Sequence, residues 1–425
     1  MRLVSPVALG MMLALGGVSL GVAAPVASAK EKPAKAPQAK PSPGFQSPVV
    51  KLQDAITKKD IEGAKAALPV AQAAITTEDD KYFYNSMLLN LSILTQDAAM
   101  QNEALKGMLA SGFVPPEQQG QFNAIVASNA SAAGDYDSAL AYADKAAAVG
   151  YRPEEVNVIM AQAIWGKAGK NPAEVARGLD FFRKGIAAKK AAGQAVDPQW
   201  YQVAVQRASE ANLPQLGEWA SMAYEAVPSG ENLRTVLRVF QRDNPQMTNR
   251  EMLDLLRLMQ FSGGLAVKGD YLEYAEMALK GGIFGEVKSV MDAGRAARDR
   301  RNNLVLTSMD AADTYNLANS KIAGDKASLG AASSDAAKAA TGKIASATAD
   351  AYLGYGDNAK AIALYQMALQ KGGVDAAEVN TRLGIAQARA GNLEAAKAAF
   401  SQVNGGARGN IAQYWLKWVS RQPTA

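Results

Sequence analysis

The feature that most constrains this chain is a recurrence of 35 residues near its C-terminal end. Gly356 and Gly391 are separated by that distance, and each lies between two short segments with helical patterning. The same order of small and aromatic residues follows each glycine. These residues are Ala361, Tyr365 and Ala368 in the first unit, and Ala396, Phe400 and Val403 in the second. A fixed period of this length indicates stacked helix pairs, each packing on its neighbours.

The rest of the chain has the same helical character. Apolar residues recur at steps of three and four, whereas sustained alternation of apolar and polar residues is absent. The residues between turns are mostly strong helix formers, and the segments are broken by Gly-Asp, Asn-Pro and Asp-Pro sequences. Short amphipathic helices with short turns predict antiparallel neighbours and an all-α fold.

The two C-terminal units resemble the tetratricopeptide repeat (TPR) family. That pattern has Leu-Gly in the first helix, a Gly-Asp-type turn, and then a small, an aromatic and a small residue in the second helix. Leu383-Gly384 and Gly391-Asn392 match the first two elements, and the recurring residues above match the third, except that Val403 is larger than the usual small residue. Thr348 stands where the preceding unit would usually have Leu. The resemblance implies a right-handed superhelical solenoid of antiparallel helix pairs.

The N-terminal segment has the three parts of a secretory signal. Arg2 is its only charge, residues 3–24 are apolar, and Ala27 and Ala29 form a small-x-small cleavage site before Lys30. An uncleaved membrane anchor is the alternative, because the apolar stretch is nearly long enough to span a bilayer. We favour cleavage, because Pro6 and several glycines interrupt the stretch and the cleavage site follows it directly. The chain is therefore expected in the periplasm, without an integral membrane span after cleavage.

Residues 30–48 are rich in Pro, Ala and Lys and predict a disordered tether. The tether is either a plain spacer or a basic segment that associates with phosphates of the cell envelope. Arg2 and the tether together account for four of the five net positive charges. The remaining chain is close to neutral, which is not the pattern of a nucleic-acid-binding protein.

Composition further divides the chain into expected regions. Residues 319–340 are rich in Ala, Ser, Gly, Lys and Asp, so they predict a loop or weak helix. We expect a signal peptide at 1–29, the tether at 30–48, a degenerate TPR-like solenoid at 49–318, a low-complexity linker at 319–340, and a C-terminal TPR pair with a capping helix at 341–425.

The absence of both His and Cys restricts the chemistry. Ser-His-Asp and Cys-His nucleophilic sites, thiol redox chemistry and ordinary zinc or haem sites all require one of these residues. We therefore expect no enzyme activity, no metal and no cofactor. A glycosidase with a pair of carboxylates in a cleft is the less favoured alternative.

The first helices of the two C-terminal units carry the candidate binding residues. One stripe of each helix is expected to face a concave groove, and the resemblance implies that such stripes bind extended or helical peptides. The alternative is a solvent-exposed face without a ligand. The candidate residues are Ser346, Asp350, Leu353, Thr381, Ile385 and Arg389.

The final helical segment has a strongly apolar face. Tyr414, Trp415 and Trp418 lie on that face at helical spacing. A stack of repeats needs a terminal element that covers its last open surface, so we interpret this segment as a cap. An exposed aromatic docking helix is the alternative.

These observations favour a periplasmic TPR-type scaffold or adaptor for an unidentified protein or peptide partner. A solenoid that binds a small ligand through groove aromatics is the main alternative. Its candidate aromatic residues are Trp165, Trp200, Tyr201, Trp219 and Tyr224.

We predict that the mature protein begins at Lys30, because the cleavage site Ala27-Ser28-Ala29 follows directly after the apolar stretch. Mass spectrometry of protein from the periplasmic fraction measures this N-terminus. Protein that retains residues 1–29 in the membrane fraction would contradict the prediction.

Overall fold

The structure is a computed structural model that describes residues 39–423. Every regular element in this range is an α-helix, and helices that are consecutive in the sequence pack against one another within each compact unit. The all-α fold of stacked helix pairs is therefore confirmed. Signal residues Ala27 and Ala29, and most of the expected tether, lie outside the described residues.

The chain divides into two compact units that meet between Pro214 and Gln215. The sequence instead places a division at residues 319–340. The first unit contains α1 (Pro43–Thr57), α2 (Ile61–Ala73), α3 (Glu78–Thr95), α4 (Ala98–Ser111), α5 (Pro116–Ala133), α6 (Tyr136–Ala148), α7 (Pro153–Ala168), α8 (Pro172–Ala191) and α9 (Pro198–Glu210).

The second unit holds both cleft regions considered below. It contains α10 (Leu216–Ala226), α11 (Gly230–Asp243), α12 (Asn249–Phe261), α13 (Lys268–Lys280), α14 (Phe284–Ala296), α15 (Ala312–Lys338), α16 (Lys343–Gly354), α17 (Asn358–Lys371), α18 (Ala376–Arg389), α19 (Leu393–Phe400) and α20 (Gly406–Val419).

The recurring turns form as the sequence indicates. Gly356 and Gly391 have φ values of 79° and 83°, a region that glycine adopts without steric penalty. The residue after Gly356 is Asp357, whose side chain accepts a hydrogen bond from the backbone N–H of Lys360 and so caps α17. The glycine ends one helix and the aspartate begins the next.

The pairing of small and aromatic residues is also present in the second unit. A methyl group added at Gly384 of α18 would lie 2.6 Å from the ring of Phe400 in α19. The absence of a side chain at Gly384 is therefore what allows this ring to pack directly on α18. Phe400 is fully buried at this contact.

Two segments with a composition that predicted little regular structure are helical. The end of the expected tether is part of α1, because Phe45 is fully buried and Pro43 occupies the first helical turn, where proline is tolerated. Residues 319–338 belong to the long helix α15, so the helix, one of the two expected forms, is the one that is present. Their high alanine content favours a helix even though few of their side chains are buried.

The last helix, α20, packs on α18 and α19 and also on α12. Trp415 stacks on Phe400 with ring centroids 5.6 Å apart, and its indole N–H donates to the backbone oxygen of Asp254. The partly exposed Trp418 lies 5.1 Å from the ring of Phe261 in α12. Because Trp415 is fully buried, it is not available as an exposed docking residue.

We predict that Trp415→Ala lowers the free energy of unfolding of the second unit by about 3–5 kcal/mol, the usual range for a buried Trp or Phe truncated to Ala. Denaturant titration measures the loss, and hydrogen exchange locates it in α19. Trp418→Ala is the matched control. It should lower the free energy of unfolding by a smaller amount, because the Trp418 side chain is partly exposed to solvent. Unchanged exchange in residues 393–400 would contradict the cap.

Candidate functional site

A buried network of charged side chains occupies the interior of the second unit, with Asp254 of α12 at its centre. The Asp254 carboxylate accepts hydrogen bonds from Arg257 at 2.8 Å, from Arg408 of α20 at 2.8 Å and from Arg382 of α18 at 3.3 Å. Asp254 and Arg257 are fully buried. At this carboxylate α12 therefore meets α18 and α20, which are more than 100 residues away in the sequence.

One arm of the network runs from Arg257 to Glu286 of α14. The guanidinium of Arg257 donates to both oxygens of Glu286, at 2.9 Å and 2.6 Å, and the hydroxyl of Tyr274 donates to the same carboxylate at 2.6 Å. Arg389 of α18 also reaches Glu286, at 3.3 Å. This arm ends at Arg389, one of the binding residues predicted from the sequence.

The other arm runs through Arg382. Its guanidinium lies 2.6 Å from the carboxylate of Asp350 in α16 and 2.7 Å from that of Glu378 in α18. The hydroxyl of Tyr365 donates to Asp350 at 2.6 Å. Arg250, which is largely exposed, pairs with Glu378 at 2.7 Å and ends this arm at the surface.

Paired charges keep the two buried acids ionised. Burial alone would raise the pKa of Asp254, but Arg382, Arg257 and Arg408 lower it below its ordinary value. Burial likewise opposes ionisation of Glu286, and Arg257 and Arg389 nevertheless lower its pKa to about 2. Buried ion pairs contribute little net stability when complete, but the loss of one partner is strongly destabilising. The network therefore fixes which helices come together.

This packing changes the interpretation of the predicted groove. Leu353, Thr381 and Ile385 are fully buried, so the expectation that Thr381 and Ile385 line an open groove is wrong. Leu353 nevertheless lines a cleft together with Arg389, which donates to its backbone oxygen. Side chains of α12 and α20 also reach the interior of this unit, where Asp254 pairs with Arg382 and Arg408. Ser346, Asp350 and Arg389 remain partly exposed.

The partly exposed candidates border two separate clefts. We call the first the Arg389 cleft; it has a volume of about 580 Å³ and lies between the ends of α12 and α18 and the facing sides of α14, α15 and α16. Its volume is in the usual range for ligand sites. The polar, charged and large apolar side chains that line it include Gln260, Phe261, Lys288, Asp292, Asn319, Ile322, Lys326, Tyr355 and Arg389.

Two cations of the Arg389 cleft are weakly held by the chain. The guanidinium of Arg389 makes contacts of 3.3 Å with Glu286 and with the backbone oxygen of Leu353, which are longer than the usual 2.7–2.9 Å of charge-assisted hydrogen bonds. The ammonium of Lys326 lies 4.9 Å from the centre of the Tyr355 ring. In contrast, Lys288 is paired with Asp292.

We call the second the Arg250 cleft; it has a volume of about 450 Å³ and contains Ser346 and Asp350. Three carboxylates line it: Asp350 and Glu378, which are both held by Arg382, and Asp375, which caps α18. The glycosidase alternative stays a hypothesis.

The aromatic residues proposed for a small-ligand groove are mostly in the packed interior of their units. Trp200 alone among the five keeps partial exposure. The buried residues are Trp165, Tyr201, Trp219 and Tyr224. A ligand site built from these rings is therefore not present, and that expectation is corrected.

The sequence does carry one signal for the ion network. Asp254 and Arg257 lie within a helix whose other central residues are Leu and Met, and a charge pair in such a run indicates a buried polar contact. Their partners could not be inferred, because Arg408 is 154 residues from Asp254. Within residues 39–423, no helix is long and apolar enough to cross a membrane, and no group of potential metal ligands is found.

Comparisons with known proteins add little to this description. No protein-family model matches the chain, and no curated protein matches it. Among solved structures, a chain from a "Human IFIT1 dimer with PPP-AAAA" aligns at 12% identity over 87% of this chain and 81% of that chain. Its TM-score is 0.21. A score this low does not support a shared helix arrangement, so nothing is transferred from that protein. The structure itself defines the class, an all-helical protein of stacked helix pairs.

We predict that acid destabilises the second unit through Glu286. Its pKa falls from 4.5 to about 2 on folding, so its stabilising contribution is complete above pH 4.5 and is lost as the pH falls towards 2. Glu286→Gln should remove this part of the pH dependence. At pH 7 it should lower the free energy of unfolding by about 3–5 kcal/mol, because the buried Arg257 loses one of its two carboxylate partners.

Denaturant titrations between pH 2 and 7 check this prediction. Glu62→Gln is the control, because Glu62 is exposed on α2. If the Glu286 variant kept the pH dependence of the wild type below pH 4.5, the assignment to Glu286 would be wrong.

Proposed function

We propose that this protein is a secreted TPR-type scaffold of the periplasm, which binds an acidic segment of a protein partner in the Arg389 cleft. The signal sequence supports secretion. The paired residues Gly384 and Phe400, together with the Gly391 turn, support the TPR type. The single observation that carries the binding site is a cleft of about 580 Å³ bordered by two weakly held cations.

The chemistry of the cleft favours carboxylates as the ligand groups. Arg389 keeps spare donors in a fixed fork, and that fork matches the geometry of a carboxylate. Lys326 adds a positive charge from the opposite wall, on α15. The rings of Phe261 and Tyr355 offer apolar contact beside these charges. A segment that combines Asp or Glu with an apolar side chain fits this arrangement.

A small anionic molecule is the second candidate, because the volume of the cleft also suits a small ligand. The two candidates share their charge chemistry and differ in length. A protein segment should lose affinity when it is shortened to a dipeptide, whereas a small-molecule site should not distinguish the two strongly.

The experiment uses fluorescent decapeptides that differ only in the number of Asp and Glu residues, titrated against the chain from Lys30 onward. We expect the affinity to rise with the number of acidic residues and to fall with salt. Lys326→Gln and Arg389→Gln should each weaken binding by roughly 10- to 100-fold, the effect of losing a hydrogen bond between charged groups.

Lys321→Gln is the matched control, because Lys321 is exposed on the same helix but does not border the cleft. It should leave the affinity within about twofold of the wild type. An equal loss of affinity in the Lys321 and Lys326 variants would mean that peptides bind through the overall positive charge of α15, and it would reject the cleft as the binding site. Equal affinity for a glutamate dipeptide and the best decapeptide would favour the small-ligand alternative.

A further inference from the structure

Helix α15 is the least buried wall of the Arg389 cleft. It has 27 residues, of which only Ala318, Leu329 and Ala336 are buried. The neighbouring helix α14 buries five of its 13 residues, and α16 buries five of its 12. Local stability follows the number of buried apolar contacts, so α15 should open at a lower free energy than either neighbour.

The part of α15 that borders the cleft is also its least packed part. Asn319, Ile322 and Lys326 line the cleft at helical spacing, and they fall between the buried residues Ala318 and Leu329. Gly324 and Gly330 lie in the same region, and a methyl group at either would meet open space. Packing therefore does not require these glycines, and each weakens the helix about fivefold relative to alanine.

Both ends of α15 are better held than its middle. Near the start, the guanidinium of Arg295 stacks on the ring of Tyr315 at 3.9 Å. Beyond the end, the ammonium of Lys371 donates to the backbone oxygens of Ala337 and Ala339, at 2.8 Å and 2.6 Å. An opening motion would therefore be confined to the segment between these anchors.

One hydrogen bond and one ring contact join the middle of α15 to α16 and the turn that follows it. The hydroxyl of Tyr355 donates to the carboxylate of Asp325 at 2.6 Å, and Lys326 lies over the same ring. Tyr355 itself borders the cleft. A ligand that reaches Lys326 or the ring would therefore compete with the contacts that hold the wall closed.

We propose that residues 319–330 of α15 form a movable wall of the Arg389 cleft, with the Tyr355–Asp325 hydrogen bond as its latch. Opening of this wall widens access to the cleft. The buried ion network stays intact during this motion, because α15 contributes none of its side chains. This inference concerns access to the cleft and does not rest on the identity of its occupant.

Hydrogen exchange followed by mass spectrometry tests the wall, using the chain from Lys30 onward without added peptide. Residues 319–330 should exchange faster than α14 and α16. Tyr355→Phe should accelerate their exchange further, because it removes the latch. The double variant Gly324→Ala, Gly330→Ala should slow it by about 25-fold, from two substitutions of about fivefold each.

A second measurement tests whether opening of the movable wall controls access to the cleft, or whether α15 opens without affecting that access. The chain has no cysteine, so Gln260→Cys places a single thiol at the cleft border. A bulky thiol reagent should label this residue faster in the Tyr355→Phe background and more slowly in the double-alanine background. Gly269→Ala, at an open position in α13, and Tyr142→Phe in the first unit are the matched controls and should change neither rate.

Two outcomes would overturn the movable wall. One is exchange in residues 319–330 that is as slow as in α14 and α16. The other is a labelling rate at position 260 that does not follow the exchange rate of α15. Because neither measurement uses a peptide, a failure of the proposed peptide binding leaves both results interpretable.

Discussion

The structure of the second unit depends on the requirement that buried charges be paired. Asp254 and Arg257 are shielded completely from water, and an isolated charge in such a place is strongly unfavourable. Asp254 therefore needs Arg382 and Arg408, and this need brings α18 and α20 against α12. Hydrophobic packing is less selective, because apolar side chains can be exchanged for others of similar volume. The ion pairs specify the arrangement, and the surrounding apolar residues supply most of the free energy.

This requirement also decides where a ligand can bind. A concave surface filled by the chain's own arginines and carboxylates has no room for a partner, which is why Thr381 and Ile385 are enclosed. Where the network reaches the surface, its charged side chains have fewer hydrogen-bond partners within the chain. Arg389 lies at such a place: its contacts with Glu286 and with the Leu353 carbonyl are both 3.3 Å long. The candidate site thus lies at the margin of the network and not within the groove.

Local features of the fold could be predicted from the sequence, because their causes are local. The turn at Gly391 needs a left-handed glycine, and the cap at Asp357 needs an acceptor at the first turn of a helix. The contact of Gly384 with Phe400 follows from the repeat pattern. In contrast, Asp254 pairs with Arg408, which is 154 positions away, and the local sequence around either residue does not indicate the other. For residues 319–338, low hydrophobicity suggested a loop or weak helix. Alanine has a high helix propensity, and three buried side chains are enough to place the helix.

The Arg389 cleft therefore has walls of unequal rigidity. Glu286 of α14 and Arg382 of α18 are joined through the buried pair Arg257 and Asp254 of α12, so these helices are held together by contacts that cannot be broken singly without a large loss of stability. Helix α15 has no part in that network and is held in its middle by the Tyr355–Asp325 hydrogen bond and the contact of Lys326 with the ring. A substitution in α15 can change access to the cleft without altering the position of Arg389. Affinity and access are separable in this unit because the fixed charge and the moving wall lie on different helices.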